Sequence, residues 1–381
     1  MPGTNLTRFS LKDQLFNRTK VEYLADLLAA KNHTFAKDQF LSAVMSKLSS
    51  LELKARIDWI TTQLEQHLPK VFSKAAHSIV RSLPPPLDPS KSDDDFGDYI
   101  FAPLGEFIAR HGQSTENLEC ALDSLHELTK RFSMEHAIRP FLMNFPEKTL
   151  RRLHKWVQDE NYHVRRLVSE STRPLLPWSP RLALPDSETL PLLDRLHADS
   201  TRYVTRSVAN HLNDIAKSHP SLVIERLEDW QLQQLQKPKE LQWMTRHALR
   251  TLTKQGNAAA MRVLGFNPTP KIKSGDIQWK HRQIRLGNCL EFSIEISALR
   301  QESLVIDYAI DFLKNSGSHS RKVFKLTQVR LSKGESVTVS KKHKLRADAT
   351  TFRLYPGEQH LSVQVNGIQI ATSTFHILTA K

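Results

Sequence analysis

Along roughly the first 268 residues, apolar side chains return every three or four positions. Leu118, Leu122, Leu125 and Leu128 show the spacing plainly. This is the period of an amphipathic helix. It predicts helices over 20–30, 39–48, 51–68, 117–131 and 146–158, joined by short polar connections. The stretch 83–98 breaks the pattern. Pro84, Pro85, Pro86 and Pro89 precede Asp93, Asp94 and Asp95, and such a run reads as a long loop rather than a helix.

Beyond the segment around Phe266 and Pro270 the period drops to two. Residues 290–297 (LEFSIEIS) alternate apolar and polar, and 304–310, 323–331, 336–339 and 361–365 do so more loosely. Gly287, Gly317, Gly334, Gly357 and Gly367 punctuate them. Short alternating strands at this spacing predict an antiparallel β-sandwich. There is no Cys…Trp…Cys pattern, so the sandwich is at most immunoglobulin-like. The expected fold is an α-helical HEAT-like repeat solenoid over 1–268, followed by a small all-β sandwich over 269–381.

An internal repeat supports the solenoid. Val164, Arg166 and Val168 return as Val204, Arg206 and Val208, and Arg246 lies another 40 residues on. An offset near 40 with two helices per unit is the period of HEAT-type repeats. In such repeats the second helix of each pair lines a concave face, where Arg166, Arg206 and Arg246 would form a row. Lys148, Arg151, Arg152 and Lys155 share one helical face; Arg246, Arg250 and Lys254 would form another stripe. These stripes can track phosphates or can be solvated faces paired with Asp159, Glu160 and Glu240.

Charge favours the first option. The chain of 381 residues carries 54 Lys plus Arg against 40 Asp plus Glu, a net +14. Such a balance suits a polyanionic partner. The excess is uneven: residues 269–381 hold 18 basic and 9 acidic side chains, a net +9, which leaves +5 for the helical part. Lys341, Lys342 and Lys344, with 321–325, are expected in loops or at strand ends of the sandwich, where they would grip DNA from the far side. A stabilising appendage is the alternative. No apolar run is long enough to cross a bilayer, residues 1–18 show no signal peptide, and two distant cysteines suggest neither a disulfide framework nor a metal site. The expectation is a cytoplasmic monomer without cofactor or metal. No GxSxG elbow, P-loop, HExxH or paired CxxC is present.

Acids and an indole set among these cations carry the candidate chemistry. Glu135 follows Ser133, which could cap a helix and leave the acid in its first turn. Glu170 lies four residues after Arg166 and could simply pair with it. Trp178 could pack between repeats. Four segments together resemble the AlkC branch of the HEAT-like DNA alkylation-repair glycosylases: 11–17 (LKDQLFN), 135–142 (EHAIRPFL), 164–178 (VRRLVSESTRPLLPW) and 204–217 (VTRSVANHLNDIAK). Ser171 stands where that branch has glycine, and His136 where it has an aromatic residue. Part of the branch also carries a C-terminal immunoglobulin-like domain.

The resemblance implies excision of cationic 3-methyladenine and 3-methylcytosine from duplex DNA without base flipping. Glu135 and Glu170 would stabilise the cationic sugar and position water. Trp178 would supply an aromatic wall, and Asp214 is a further candidate acid. Arg166 would hold a lesion-strand phosphate, joined at the DNA by Arg151, Arg152, Arg165, Arg206, Arg246, Lys341, Lys342 and Lys344. A non-catalytic HEAT-like scaffold binding DNA or protein is the competing reading.

Overall fold

The protein is described here from a computed structural model covering residues 10–91, 96–347 and 352–379. Asp93, Asp94 and Asp95 lie outside the described residues. A helical body precedes an all-β domain, as the change of period predicts. The helices of the first half are α1 (Leu11–Leu15), α2 (Arg18–Lys31), α3 (Lys37–Leu48), α4 (Leu53–His67), α5 (Phe72–Arg81), α6 (Ala102–His111) and α7 (Leu118–Thr129). They continue with α8 (Glu135–Asn144), α9 (Pro146–Trp156), α10 (Tyr162–Ser171), α11 (Asp186–Leu196), α12 (Arg202–Ile215), α13 (Pro220–Gln233), α14 (Pro238–Ala248), α15 (Arg250–Lys254) and α16 (Ala258–Val263).

Local chemistry sets several of these boundaries. Asn17 and Asn161 accept from Lys20 N (3.0 Å) and His163 N (2.9 Å), capping α2 and α10. Pro146 opens α9 at a position where a missing N–H costs nothing. Leu118, Leu122, Leu125 and Leu128 are fully buried, so the predicted face of α7 is its core face. The 40-residue offset is physical: α9 and α11 start at 146 and 186, α10 and α12 at 162 and 202. The stripe through Arg246, Arg250 and Lys254 is not one helical face, because the helix breaks at Leu249 and Arg250 donates to the His247 carbonyl.

The strands are β1 (Ile272–Ser274), β2 (Gln278–Trp279), β3 (Gln283–Arg285), β4 (Cys289–Ala298), β5 (Glu302–Leu313), β6 (His319–Leu331), β7 (Ser336–Lys344), β8 (Gly357–Val365) and β9 (Ile368–Leu378). One sheet centres on β4, which pairs with β1 and β2 on one side and β7 on the other; the second has the order β3-β9-β8-β5-β6. Every pair is antiparallel except β3 with β9, which is parallel. Leu290, Phe292, Ile294 and Ile296 of β4 meet Ile306, Tyr308 and Ile310 of β5 in the core, as a period of two requires. The short β1, β2 and β3, and β9 with its Thr and Ser, carried too little apolar alternation to be foreseen.

The lysines of β7 take the strand-end alternative. Lys341, Lys342 and Lys344 lie in the last part of the strand, which ends at Lys344, paired across to Phe292, Glu291 and Cys289. The alternation begun by Val337 and Val339 continues through Lys341 and His343 on the half-buried face, leaving Lys342 and Lys344 exposed. His343 belongs on that face because its Nδ1 is hydrogen-bonded to the Tyr308 hydroxyl (2.7 Å). Arg321 and Lys325 likewise lie inside β6.

The chain forms two compact units: the residues up to Ile215 with Gln234–Met244, and Ala216–Gln233 with Thr245 onward. In the second unit Met261 and Phe266 pack on Val305 of β5. Asn366, in the tight β8–β9 turn at φ 47°, donates to Asn267 O (2.9 Å) and Ser303 O (3.1 Å) and accepts from Val305 N (2.8 Å). Beside it Gly367 meets Gly256 backbone to backbone, both at positive φ, and a Cβ on Gly256 would lie 2.6 Å from Gly367 O. The sheet domain therefore carries the helical segment before it in one packed body. Gly256→Ala is expected to destabilise this unit by about 1–3 kcal/mol, through both strain and overlap. Urea unfolding of the variant against wild type measures it.

Candidate active site

The first unit gathers five charged side chains into one alternating chain. Glu135 opens α8, and its Oε2 accepts from Arg166 Nη1 of α10 at 3.1 Å. Arg166 Nη2 lies 3.6 Å from Glu170 Oε2, one turn along the same helix. Glu170 Oε1 accepts from Arg173 Nη1 at 2.6 Å, and Arg173 Nε donates to Asp214 Oδ2 of α12 at 2.9 Å. The order is acid, guanidinium, acid, guanidinium, acid. The i, i+4 spacing puts Arg166 and Glu170 on one face of α10, and Arg173 follows just beyond its end. Glu135 and Asp214 arrive from neighbouring helices.

Hydroxyls complete the chain. Ser133 does not cap α8, whose first helical residue is Glu135; its Oγ instead accepts from Arg166 Nη1 at 2.5 Å. Ser207 donates to Glu170 Oε2 at 2.6 Å. The Arg166 guanidinium also lies over the Tyr203 ring, 4.9 Å from its centroid. Burial by itself pushes the Glu170 carboxyl up, but Arg166, Arg173 and the Ser207 hydroxyl outweigh it and hold it below the usual carboxylate range. Burial likewise works against the Arg166 cation. Glu135, Tyr203 and Glu170 reverse that and raise its pKa. The formal charges of the five members sum to −1.

The chain is graded in exposure. Side-chain exposure falls from 16% at Glu135 to 7% at Glu170 and 3% at Asp214. Both oxygens of Glu170 are occupied by protein donors, whereas Glu135 Oε1 has none among the described residues. Glu135 is the end that can face a ligand.

Trp178 is 66% exposed, which excludes packing between repeats. It holds φ 66°, a left-handed conformation unusual for a bulky residue. Its carbonyl accepts from Lys54 Nζ at 3.0 Å. With Ser133, His136, Tyr99 and Phe132 it lines a cavity of about 340 Å³ beside Glu135. His136, hydrogen-bonded through Nδ1 to Ser179 Oγ (2.7 Å), ties α8 to the Trp178 loop. Burial, Lys54, Arg139 and Arg166 lower its pKa against the pull of Glu135, so the imidazole is neutral at pH 7. The Ser171 side chain is buried and touches none of the five charges.

The structure separates the expected DNA-contacting cations into engaged and free groups. Arg166 is enclosed by the two glutamates, to which its guanidinium is already paired. Arg165 is held by Asp199 through two bonds (2.6 and 3.2 Å) and by the carbonyls of Asp159 and Glu160. The 40-residue repeat brings the turn before α12 against its own helix. Arg152 pairs with Glu119 and Asp123. Arg151 and Arg246 are exposed and Arg206 is half-buried, and none of the three makes an ion pair among the described residues. Arg246 belongs to the second compact unit and the other arginines to the first. Lys342 lies 3.5 Å from Glu291, and Lys344 is exposed and makes no ion pair among the described residues.

Sequence reasoning passed over Arg173, Ser207 and Arg139, and read Ser133 as a helix cap. For Arg173 the signal was its i+3 spacing from Glu170. No group of three His, Cys, Asp or Glu residues able to hold a metal occurs among the described residues, and no helix there is long and apolar enough to cross a membrane.

Comparison with known proteins now becomes informative. Residues 128–252 match the family model described as DNA alkylation repair enzyme, and 273–379 match that of the C-terminal Ig-like domain of YhaZ. The YhaZ protein of Bacillus subtilis (strain 168) is 33% identical over 358 residues, covering 93% of this chain and 96% of that protein. A solved structure of the Pseudomonas fluorescens alkylpurine DNA glycosylase AlkC, bound to DNA containing an abasic-site analogue, is 31% identical and superposes with a TM-score of 0.86, covering 97% of this chain and all of the other. The chain belongs to the AlkC-type DNA alkylation repair family. The family's repair segment, 128–252, contains all five members of the charge chain and Trp178.

A buried histidine makes this site sensitive to acid. His211 of α12 donates through Nδ1 to the Ser169 carbonyl (3.1 Å), while Nε2 is buried without a hydrogen-bond partner. Burial, reinforced by Arg173, drives its pKa down from 6.5 to about 4. A depressed folded pKa means the unfolded chain takes up the proton first. The His211 contribution is therefore intact above pH 6.5 and drains away as pH falls toward 4, by about 3 kcal/mol in all. Urea unfolding of wild type between pH 7 and 4 should show this slope, and His211→Gln should flatten it.

Proposed function

We propose that this protein hydrolyses the N-glycosidic bond of cationic alkylated bases in duplex DNA, 3-methyladenine and 3-methylcytosine, as a monofunctional glycosylase. The observation that carries the reading is Glu135: a carboxylate paired with Arg166, with one oxygen that has no protein donor among the described residues, at the accessible end of a formally net-negative chain and next to the cavity lined by the exposed indole. Alkylation at N3 already makes the base a cationic leaving group. The electrons of the breaking C–N bond leave with the base, and positive charge develops on the deoxyribose. A fixed carboxylate stabilises that charge without reorganising and orients the water that closes the abasic site. The Trp178 face supports the same cation through its quadrupole.

The two glutamates have different tasks in this reading. Glu135 faces the sugar. Glu170, with both oxygens occupied, holds Arg166 and Arg173 and adds negative potential from behind; Asp214 does so at one further remove. With selectivity resting on lesion charge, the base can stay within the duplex, and a neutral lesion such as uracil should be excised poorly. Exposed Arg151, Arg206 and Arg246 would meet phosphates, and Lys342 and Lys344 would do so from the all-β domain.

Release of free base from methylated duplex is the test. Glu135→Gln and Trp178→Ala should each slow release at least about tenfold, or about 1.4 kcal/mol of barrier, with affinity for abasic DNA retained. Glu170→Gln should also lower stability, because it leaves buried guanidinium charge underneutralised. Strand breakage should need a separate alkaline step. Retained activity in both glutamine variants would sink the assignment. DNA binding without release of any base would favour the scaffold reading.

DNA contact by the β7 lysines requires a gentler test than deleting residues 269–381, since that would strip Met261 and Phe266 of Val305. Lys342→Glu with Lys344→Glu reverses two exposed charges on one strand face. The double variant should bind DNA at least about tenfold more weakly, with a shallower salt dependence. Unchanged binding would remove the all-β lysines from the DNA interface.

A further inference from the structure

Arg139 is 2% exposed and has no carboxylate partner among the described residues. Its Nη1 donates to Ser171 O (2.9 Å) and Arg173 O (2.8 Å), and its Nη2 to Pro180 O (2.5 Å). Its Nε is buried without a partner. Burying a cation against carbonyls alone is expensive, and the nearby Arg173 charge adds repulsion that, after burial, lowers the Arg139 pKa further. The C-terminal end of the α10 dipole offsets part of this. A neutral side chain could cap one carbonyl at lower cost. Only a fork as wide as a guanidinium reaches three.

The three anchor points and the helix that carries Arg139 are where the candidate site is assembled. Arg139 lies one turn after Glu135 on α8. Ser171 directly follows Glu170 at the end of α10, and Arg173 is itself in the charge chain. Pro180 stands two residues beyond Trp178. One guanidinium thus joins the elements presenting the carboxylate at the sugar, the carboxylate behind it and the indole. The loop's other ties are lighter: Leu182 N to Pro174 O at 3.3 Å, Ser179 N to Leu176 O at 3.2 Å, and the Lys54 and His136 bonds at the surface. The first two close the turn within the loop, the His136 bond reaches α8 through a single exposed side-chain contact, and the left-handed backbone at Trp178 needs a buried hold to persist.

We propose that Arg139 is a positioning residue that fixes Trp178 against Glu135 by pinning the 173–180 loop to α8. This rests on the function proposed above, and the test separates the two. Single-turnover release of 3-methyladenine is measured for wild type, Arg139→Lys, Trp178→Ala and the double variant, with affinity for an abasic duplex measured in parallel. Arg139→Lys keeps the charge but cannot span three carbonyls. It should be at least about tenfold slower, with affinity within about twofold of wild type. In the Trp178→Ala background the same substitution should slow release by less than about twofold, because the group it positions is gone.

Full additivity of the two losses overturns the positioning role, as does an Arg139→Lys enzyme as fast as wild type. If Trp178→Ala alone is as fast as wild type, the function assigned to the indole fails first. Should Arg139→Lys not fold, Pro180→Gly loosens the same loop from its exposed side. The same two results, non-additive or additive with Trp178→Ala, then support or overturn the proposal.

Discussion

Buried ions must neutralise one another, and in this protein that requirement ties three helices together. Glu170 and Asp214 have almost no access to water, so Arg173 and Arg166 must reach them, and removing one partner of such a pair typically costs about 3–5 kcal/mol. The positions of α8, α10 and α12 follow from this. Arg166 reaches Glu135 only if α8 starts beside the middle of α10; Arg173 reaches Asp214 only if α12 packs on its end.

The same requirement makes the site directional. At the inner end both Glu170 oxygens are matched, by Arg173 and Ser207, and Arg173 also binds Asp214. At the outer end one oxygen of Glu135 is left over. A group that meets a transient cation has to be charged and rigid before the cation forms, and the alternating chain supplies both properties at one accessible point. Trp178 reaches the neighbourhood through a loop whose strained backbone is paid for by contacts elsewhere, chiefly those of Arg139.

Much of this was legible in the sequence, in proportion to how local the signal was. Helices with a clean three-four period, such as α7, and strands with strict alternation, such as β4, appear where the pattern put them. For the lysines of β7 the charge run left loop and strand end open, and pairing with β4 and the His343–Tyr308 bond carry the strand to Lys344. Glu135, Glu170 and Trp178 stood out as acids and an indole among arginines. Which glutamate faces outward was invisible, because it depends on Ser207, which lies 37 positions from Glu170 in the chain.

The sequence by itself determined the two kinds of architecture, the 40-residue spacing of the helix pairs, the basic excess of the strand-rich region and the residue types of the candidate site. These are properties of period and composition, which survive without knowledge of contacts. Tertiary structure alone decided which cations are already paired, which carboxylate oxygen is free, that Arg166 serves the glutamates, and that Arg139 joins the site's three elements. Each depends on partners about 30 or more residues apart being brought within 3 to 4 Å, and spacing along a chain does not encode that distance.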